Sequence, residues 1–291
     1  MRILILGGTA MLGHKLVQIL SKRNDVWTTI RGSYGELARY GIFDRERTLE
    51  NIEASDFNAV RRAIDKVMPD VIVNSIGIIK QVPSAKDVVQ SLTINSILPQ
   101  KLAEIAKRGP RLVTISTDCV FDGRRGSYTE LDPPNALDLY GTSKRFGEVL
   151  AENCITLRTS IIGRELRTAH SLVEWFLCNR GRTVKGFSNA IYTGFPTLVF
   201  ADIIDDLLTE HVGLEGLFHV SSRRISKFDL LRIINDKFAA KIEITKDTEL
   251  VLDRSLDSSR YQKATGFRPA DWAEMIERMA ADPTPYETWR N

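Results

Sequence analysis

The sequence predicts an α/β fold in which a doubly wound parallel sheet carries a smaller, discontinuous α+β lobe. Short apolar runs alternate with amphipathic stretches over about the first 160 residues, which is typical of a parallel sheet with helices on both faces. A glycine-rich turn joins the first apolar run to the first amphipathic stretch. Further along, the alternation becomes irregular and glycines cluster with a proline between positions 181 and 196, which indicates a second structural unit.

The predicted strands are apolar runs bounded by turn residues, and the predicted helices show apolar side chains at helical spacing. Asp56 is a good N-cap for the second helix, and Gly109-Pro110 ends the third. Strands are predicted over residues 3–6, 26–30, 51–54, 71–74, 112–116 and 155–159, the third having the weakest pattern. Helices are predicted over residues 11–20, behind Asp56, and over 88–106 and 139–153. We expect one unit over residues 1–160 with about 200–220, and a second lobe over 161–199 and 221–291.

Composition limits the classes of function. The chain has 291 residues, of which 43% are hydrophobic and 26% charged, and its net charge of +3 is too small to indicate a nucleic-acid partner. The apolar run at residues 3–6 is too short for a signal peptide, and no stretch suits a membrane span. Cys119, Cys154 and Cys178 show no paired spacing, and the histidines show no metal-ligand spacing. We expect a cytoplasmic protein without a metal, with a homodimer as one open alternative.

The run Gly7-Gly8-Thr9-Ala10-Met11-Leu12-Gly13 lies between the first strand and the first helix. In an open parallel sheet, this is where the pyrophosphate of a dinucleotide meets a helix N-terminus. Gly7 permits a tight turn and Gly13 permits close packing of helix on strand, while Ala10 occupies the position of a middle glycine. The alternative is a glycine-rich turn that binds no ligand. We therefore predict that the first unit is Rossmann-like and that residues 7 and 9–13 bind a dinucleotide.

The end of the second strand bears on which dinucleotide is bound. Arg31 closes that strand, and no acidic residue lies between Asp25 and Glu36. An arginine suits the 2′-phosphate of NADPH, whereas an acidic residue there would hydrogen-bond a free ribose hydroxyl. The sequence therefore favours NADPH, with NADH as the alternative, unless Arg31 is an ordinary surface residue.

Two later strand ends are also predicted to line the cofactor. Glu53 and Ala54 are candidates for the adenine contact, unless Glu53 is simply solvated. Ser75, Ile76 and Gly77 follow the fourth strand and should lie along the cofactor, unless they only cap that strand.

Tyr140 and Lys144 are four residues apart on a predicted helix and therefore share one face. An ammonium beside a phenol favours the phenolate and lowers the phenol pKa. Moving that pKa from ~10 towards ~7 requires roughly 4 kcal/mol of differential stabilisation. Such a phenol would donate or accept a proton near neutral pH. The alternative is a solvated helix face.

Thr117 and Asp118 end the fifth predicted strand, at the same carboxyl edge of the sheet as the glycine turn. The Thr117 hydroxyl is a candidate to hydrogen-bond a substrate oxygen that Tyr140 protonates. Two structural alternatives stand beside this one. Asp118 caps the following turn, which is the role we favour for it, or Thr117 itself does so.

Together these motifs resemble the extended short-chain dehydrogenase/reductase superfamily, and within it the dTDP-4-dehydrorhamnose reductase type. The similarity covers nearly the whole chain and includes residues 7–13, 74–77, 116–123, 140–144, 157–160, 194–197 and 254–257. The resemblance implies a catalytic triad of Thr117, Tyr140 and Lys144. It also implies that NADPH reduces a nucleotide-linked 4-keto-6-deoxy sugar at C4, with Tyr140 as general acid.

The same resemblance assigns binding roles to further residues. It places the pyrophosphate at Ala10, Met11 and Leu12, the adenine at residues 53–54, and a substrate diphosphate at Arg254. Asn189 is a further candidate contact to the sugar or base, and Asp118 lies in the same predicted substrate pocket. The partner is thus expected to be a small nucleotide sugar.

Departures from that family's pattern alter the predicted pocket wall. Cys119 stands where a tyrosine is usual, and Ile161 stands where a tryptophan often packs on the sugar. Trp175 is an alternative source of an aromatic side chain, although we expect it to pack in the core. A basic cluster suits a diphosphate or a solvated surface and comprises Arg158, Arg164, Arg167, Arg180, Arg182 and Lys185.

Two other functions are compatible with the sequence. A sugar-nucleotide epimerase or 4,6-dehydratase would retain NAD, but a dehydratase would need an acidic pair where Asp118 is followed by Cys119. The resemblance also extends to a subunit of methionine adenosyltransferase. A non-catalytic regulatory subunit of that kind would bind nucleotide without turnover.

Overall fold

The computed structural model describes residues 1–107 and 109–289; Arg290 and Asn291, at the end of the predicted second lobe, lie outside the described residues. The strands are β1 Arg2–Leu6, β2 Asp25–Thr29, β3 Thr48–Leu49, β4 Val71–Asn74, β5 Arg111–Thr117, β6 Cys154–Thr159, β7 Ile161–Ile162, β8 Thr183–Phe187, β9 Ala190–Tyr192, β10 Phe195–Pro196, β11 Gly216–His219, β12 Ile225–Ser226, β13 Glu243–Asp247 and β14 Leu252–Asp253. The helices are α1 Gly13–Leu20, α2 Phe57–Val67, α3 Val88–Leu92, α4 Leu98–Ala106, α5 Leu139–Phe146, α6 Leu172–Leu177, α7 Thr197–Thr209, α8 Lys227–Lys237, α9 Ser259–Thr265 and α10 Trp272–Ala280. Among the residues described, none of these helices combines the length and hydropathy that crossing a bilayer requires.

Seven strands form the central sheet in the order β11-β6-β5-β4-β1-β2-β3, and every neighbouring pair is parallel. The predicted doubly wound α/β fold is confirmed. The strand order reverses between β1 and β4, and in such sheets the ligand crevice lies outside the carboxyl ends of the strands at that point. β11 extends the sheet beside β6, with His219 opposite Arg158.

Alternating side chains of β1 supply two hydrophobic layers. Ile3 and Ile5 pack in the layer that includes residues of α1 and α7, whereas Leu4 and Leu6 pack with residues of α2 and α4. All four side chains are fully buried. Burial of one such side chain stabilises the fold by about 1.5–3 kcal/mol, so both faces of the sheet hold it in place.

Small sheets and helices after β6 make up the remainder of the chain. β9 lies between the antiparallel β12 and the parallel β14, and β8 pairs with β13 in parallel. α8 packs on β8 and α10. Arg254 directly follows β14, and its Nε donates to the carbonyl of Phe121, which lies shortly after β5.

Three predicted boundaries are wrong. The third strand is β3 and not residues 51–54, because Asn51 has φ +58° and turns the chain after its pairing with β2. The predicted helix over 88–106 is interrupted by a π-helical turn at Thr93–Ile97. The predicted helix over 139–153 ends at Phe146, where Gly147 forms its C-cap.

Candidate active site

The glycine turn between β1 and α1 leaves no space for side chains at its glycine positions. Gly7 has φ +85°, which favours glycine. A Cβ on Gly13 would lie 2.1 Å from the Gly7 carbonyl oxygen, so α1 begins directly against the end of β1. The Ala10 amide donates to the same oxygen at 3.0 Å and closes the turn. The result is a compact backbone loop at a helix N-terminus, the geometry that accepts a phosphate.

The other turn residues contribute differently from one another. Gly8, which sequence reasoning did not single out, is equally constrained, because a Cβ there would lie 2.1 Å from Thr28 Oγ1 on β2. Thr9, Ala10 and Met11 are partly exposed. Leu12 is only 3% exposed and belongs to the core, so only its backbone is free to meet a ligand.

The segment after β4 lies between the glycine turn and α5. Ser75 Oγ donates to the Leu6 carbonyl at 2.6 Å, and Ile76 Cγ1 lies 2.7 Å from where a Cβ of Gly7 would be. On its other side, the Lys144 Nζ lies 3.8 Å from the equivalent position on Gly77. The structure therefore brings the predicted cofactor residues 75–77 together with the glycine turn and Lys144.

Helix α5 approaches two backbone carbonyls at distances that only glycine allows. A Cβ on Gly141 would lie 2.2 Å from the Cys119 oxygen, and one on Gly147 would lie 1.8 Å from the Asn95 oxygen. Asp138 caps the helix by accepting from the Gly141 amide at 2.9 Å. These contacts press α5 against the 3₁₀ turn at Asp118–Val120 and against the π-helical turn.

Asn95, in the π-helical turn, joins α5 to the segment after β4. Its Oδ1 accepts from the Ile78 amide at 2.8 Å, and its Nδ2 donates to Ser143 Oγ at 3.1 Å. Ser96 Oγ donates to the Ser143 carbonyl at 2.7 Å. The sequence did not predict a role for Asn95 or Ser96, because a helical pattern of apolar residues does not reveal the extra residue of a π turn.

Tyr140, Thr117 and Lys144 meet at the carboxyl end of β5. The Thr117 side chain lies close enough to the Tyr140 hydroxyl to favour its ionised form, and so acts to lower the pKa of Tyr140. Thr117 Oγ1 also accepts from the Cys119 amide at 3.1 Å and donates to Asp118 Oδ1 at 3.1 Å. Lys144 Nζ donates to the Ile115 carbonyl at 2.7 Å. Thr117, and not Asp118 as we favoured, therefore caps the following turn, and it does so while contacting Tyr140.

The expected effect of Lys144 on the phenol is wrong for this structure. Burial, and then the neighbouring Cys119, raise the pKa of Tyr140 above its ordinary value, against the opposing effect of the Thr117 side chain. Burial also lowers the pKa of Lys144 to about 8, against the attraction of Glu148. Desolvation therefore dominates at Tyr140, and the Lys144 ammonium donates to the Ile115 carbonyl. The phenol is consequently protonated near neutral pH.

A second cation, Lys80, lies beside Tyr140 and was also missed from the sequence. Its Nζ lies 5.4 Å from the centre of the Tyr140 ring and 2.9 Å from Asp138 Oδ2. The spacing of residues in the sequence could not predict this contact, because Lys80 and Tyr140 are 60 residues apart.

Arg254, which follows β14, reaches the turn that follows β5. Its Nε donates to the Phe121 carbonyl at 2.8 Å, and its Nη1 lies 3.8 Å from Cys119 Sγ. Burial raises the pKa of the neighbouring Asp118, and the charge of Arg254 opposes that rise. The predicted diphosphate contact is thus placed next to the Thr117–Tyr140 pair.

Beneath this edge, a buried ion pair supports β5 and α5. Arg158 bonds both carboxylate oxygens of Glu148, at 2.6 and 2.7 Å, and Ser116 Oγ donates to Glu148 at 2.7 Å. His219 Nε2 lies 3.1 Å from Arg158 Nη1, and burial lowers the pKa of His219 to about 4. A neutral imidazole can accept from the guanidinium there. His219 is fully buried inside the fold.

The sequence profile of the RmlD substrate binding domain matches residues 1–284 of this chain. The chain belongs to this family. The predicted place among the extended short-chain dehydrogenases/reductases is confirmed.

Named relatives of this RmlD family member include enzymes and a subunit. The dTDP-4-dehydrorhamnose reductase of Aggregatibacter actinomycetemcomitans is 25% identical over 96% of this chain and 98% of that protein. Methionine adenosyltransferase 2 subunit beta of Danio rerio is 28% identical over 81% of this chain and 74% of that protein.

Solved structures show the same fold. A hypothetical dTDP-4-dehydrorhamnose reductase from Sulfolobus tokodaii has a TM-score of 0.78 at 29% identity, covering 94% of this chain and 98% of that one. The dTDP-4-dehydrorhamnose reductase of Bacillus anthracis in complex with NADP has a TM-score of 0.79 at 22% identity, covering 97% and 99%. Because the Bacillus anthracis protein is only 22% identical, its similarity supports the shared fold and nothing further.

The remaining residues that were named from the sequence differ in their exposure and contacts. Asn189 is exposed, and its amide donates to the Thr248 carbonyl at 3.0 Å, which occupies it structurally. Trp175 is 41% exposed, so its expected packing in the core is wrong. Glu53 is exposed while Ala54 is buried, and Arg31 is exposed at the end of β2. Within the described residues, no group of three or more His, Cys, Asp or Glu side chains could hold a metal ion.

Most of the basic cluster is also engaged elsewhere. Arg158 and Arg164 are buried in ion pairs with Glu148 and Glu174. Ion pairs also form from Arg167 to Glu36, from Arg180 to Glu287 and from Lys185 to Asp247. These residues therefore do not assemble into one diphosphate site.

Gly141→Ala tests the close approach of α5. Alanine favours a helix by up to about 1 kcal/mol, but its methyl group would overlap the Cys119 carbonyl and force α5 outwards. We expect the free energy of unfolding to fall by about 1–3 kcal/mol, measured by urea denaturation. Gly213→Ala, at an exposed glycine with open space around it, is the matched control and should change little. Equal stability of the two variants would contradict the packing described.

Proposed function

We propose that this protein is an NADPH-dependent reductase of a nucleotide-linked 4-keto-6-deoxy sugar, with Tyr140 as the general acid. One observation carries the proposal. Tyr140, Thr117 and Lys144 lie together at the carboxyl end of β5, and Lys144 also lies close to residues 75–77, which contact the glycine turn. The names of the relatives support a sugar-nucleotide oxidoreductase as the class.

The glycine turn fits a dinucleotide. Its three glycines, Gly7, Gly8 and Gly13, exclude side chains from a loop whose backbone amides lie at a helix N-terminus. In the proposal, the backbone of residues 10–12 holds the pyrophosphate and Lys144 holds the nicotinamide ribose. NADPH, when bound, supplies a hydride. Residues 75–77 lie between these two contacts and line the cofactor along its length.

At the reacting end, Tyr140 would donate its proton to the C4 oxygen of the sugar as the carbonyl becomes an alcohol. Burial favours this direction, because the raised pKa keeps the phenol protonated until the stronger base forms. Thr117 Oγ1, which now donates to Asp118 Oδ1, would donate to the same substrate oxygen instead. The Lys144 ammonium would stabilise the phenolate left behind.

Substrate binding is proposed at the second lobe. Arg254 offers a planar guanidinium for a diphosphate, beside Cys119 and Asp118. Asn189 would have to release the Thr248 carbonyl to contact a sugar or base, so Arg254 is the better supported of the two. Cytoplasmic location, a homodimer and the absence of a nucleic-acid partner stay predictions.

The proposed preference for NADPH depends on Arg31, which lies just after β2. Arg31 is exposed there and has no ion-pair or hydrogen-bond partner among the described residues. Glu36 lies near Gly32, with its Oε2 at 3.1 Å from where a Cβ would be, but its carboxylate is paired with Arg167 at 3.0 Å. In the proposal, the positive charge of Arg31 binds the 2′-phosphate of NADPH.

A second function has one observation in its favour. The beta subunit of methionine adenosyltransferase 2 from Danio rerio is a relative of this chain at 28% identity. A regulatory subunit of that kind would bind a dinucleotide without turnover. Co-purification with a partner, together with inactivity on every sugar nucleotide below, would favour this alternative.

The reductase is tested with a panel of dTDP-, UDP- and GDP-linked 4-keto-6-deoxy sugars, incubated with NADPH and followed at the nicotinamide absorbance. We expect one of them to consume NADPH stoichiometrically, with an alcohol at C4 in the product by NMR. Tyr140→Phe should lower kcat by about 10²–10⁴-fold, because it removes the proton donor. Its dissociation constant for NADPH should stay within about twofold of wild type, since the variant keeps the ring and leaves the glycine turn and Lys144 unchanged. Turnover at the wild-type rate in Tyr140→Phe would refute the assignment.

Arg31→Ala tests the cofactor preference. Loss of a charged hydrogen bond to the 2′-phosphate should raise the dissociation constant for NADPH about tenfold or more, measured by fluorescence titration. The constant for NADH should change less than about twofold. Arg23→Ala, an exposed arginine at the far end of α1, is the control and should alter neither. Equal losses for both cofactors in Arg31→Ala would count against the 2′-phosphate contact.

A further inference from the structure

The C-terminal segment, defined as residues 282–289, folds back onto α1, the helix that begins at the glycine turn. Lys15 of α1 forms an ion pair with Asp282, and both side chains are more than 90% buried. Thr284 Oγ1 accepts from Lys15 Nζ and from Gln18 Nε2, each at 3.0 Å. Two ends of the chain, more than 260 residues apart, are thus joined inside the protein.

His14 connects this segment to the glycine turn itself. Its ring is fully buried, with Nε2 at 2.7 Å from the Tyr286 hydroxyl and Nδ1 at 2.9 Å from the Ala10 carbonyl. A carbonyl can only accept, so Nδ1 carries the hydrogen and Nε2 accepts from Tyr286. Burial lowers the pKa of His14 to about 4, which keeps the ring in this neutral form near pH 7. One chain of hydrogen bonds therefore runs from Tyr286 through His14 to Ala10.

The last acceptor of that chain is the peptide that would face the pyrophosphate. Ala10 O also accepts from the His14 amide at 3.2 Å, as in the first turn of a helix. A trans peptide is planar, so a carbonyl of Ala10 held along the helix directs the Met11 amide the opposite way, out of the helix N-terminus. That is the direction in which backbone amides meet a phosphate.

Aromatic packing extends the same contact to the region after β2. The Tyr286 ring lies edge-on to Trp289 at 5.7 Å between centres, and Trp289 lies edge-on to Tyr40 at 4.8 Å. Arg164 lies over the Tyr286 ring at 4.8 Å and donates to Glu287 at 2.8 Å. The hydroxyl of Tyr286 is therefore presented to His14 by a ring that is packed on several sides.

We propose that Tyr286 and His14 are positioning residues for the dinucleotide, so that the C-terminal segment sets cofactor affinity without touching the cofactor. The inference rests on the proposed dinucleotide site at residues 7–13. The C-terminal segment would then help to orient the backbone that binds the pyrophosphate. Packing alone would not require the hydrogen-bonding groups of Tyr286 and His14, since apolar side chains could fill the same space.

Tyr286→Phe is the decisive variant, since it keeps the packed ring and removes only the hydroxyl. We expect its dissociation constant for NADPH, from fluorescence titration, to rise about three- to tenfold, the effect of one hydrogen bond. The KM for the sugar nucleotide and kcat at saturating NADPH should stay near wild type. Tyr261→Phe is the matched control: it is also buried, and its hydroxyl has no hydrogen-bond partner among the described residues.

His14→Phe and the double variant complete a cycle. Tyr286 and His14 act through one series of hydrogen bonds, so breaking it at either residue should have the same effect. The dissociation constant of the double variant for NADPH should therefore be no higher than that of the single variant that binds NADPH more weakly. A folded Tyr286→Phe with the wild-type dissociation constant, or losses in the two variants that add independently, would overturn the inference. Failure of the wild-type protein to bind either NADPH or NADH would instead refute the proposed function on which the inference rests.

Discussion

The contact between helix α5 and two backbone carbonyls is the constraint on which the candidate site depends. Gly141 lies on the Cys119 carbonyl and Gly147 on the Asn95 carbonyl, at distances that exclude any Cβ. This approach places Tyr140 beside Thr117 and directs Lys144 to the Ile115 carbonyl and towards Gly77. Since interiors are close-packed, a helix held in this way has little freedom to move, so Tyr140 and Lys144 are held in position without a ligand.

Burial, more than charge pairing, determines the chemistry of these side chains. It raises the pKa of Tyr140 and lowers that of Lys144 to about 8. A phenol that stays protonated is suited to giving a proton to a developing alkoxide, which is the direction that a reductase needs. Burial likewise holds His14 and His219 neutral, each with a pKa of about 4, so that each can accept a hydrogen bond while donating another.

Local pattern was enough to predict part of this molecule. Alternating apolar runs predicted the parallel sheet, and the residues of the glycine turn and the Tyr140–Lys144 pair could be named from spacing alone. Long-range contacts could not be predicted in this way. Asn95 acts through a π turn that helical periodicity hides, Lys80 reaches Tyr140 across 60 residues, and Tyr286 meets His14 across 272. The sign of the Tyr140 pKa shift was missed for a related reason, because spacing shows a neighbouring ammonium but not the loss of solvent.

The central claim is that α5 presents Tyr140 and Lys144 to a reduced nicotinamide in the crevice between the glycine turn and residues 75–77. A crystal structure of the protein with NADPH tests it most directly. The account predicts the pyrophosphate on the amides of residues 10–12, a hydrogen bond from Lys144 Nζ to the nicotinamide ribose, and the Tyr140 hydroxyl facing the nicotinamide. A cofactor bound elsewhere, or a Tyr140 hydroxyl turned away from the nicotinamide, would contradict it.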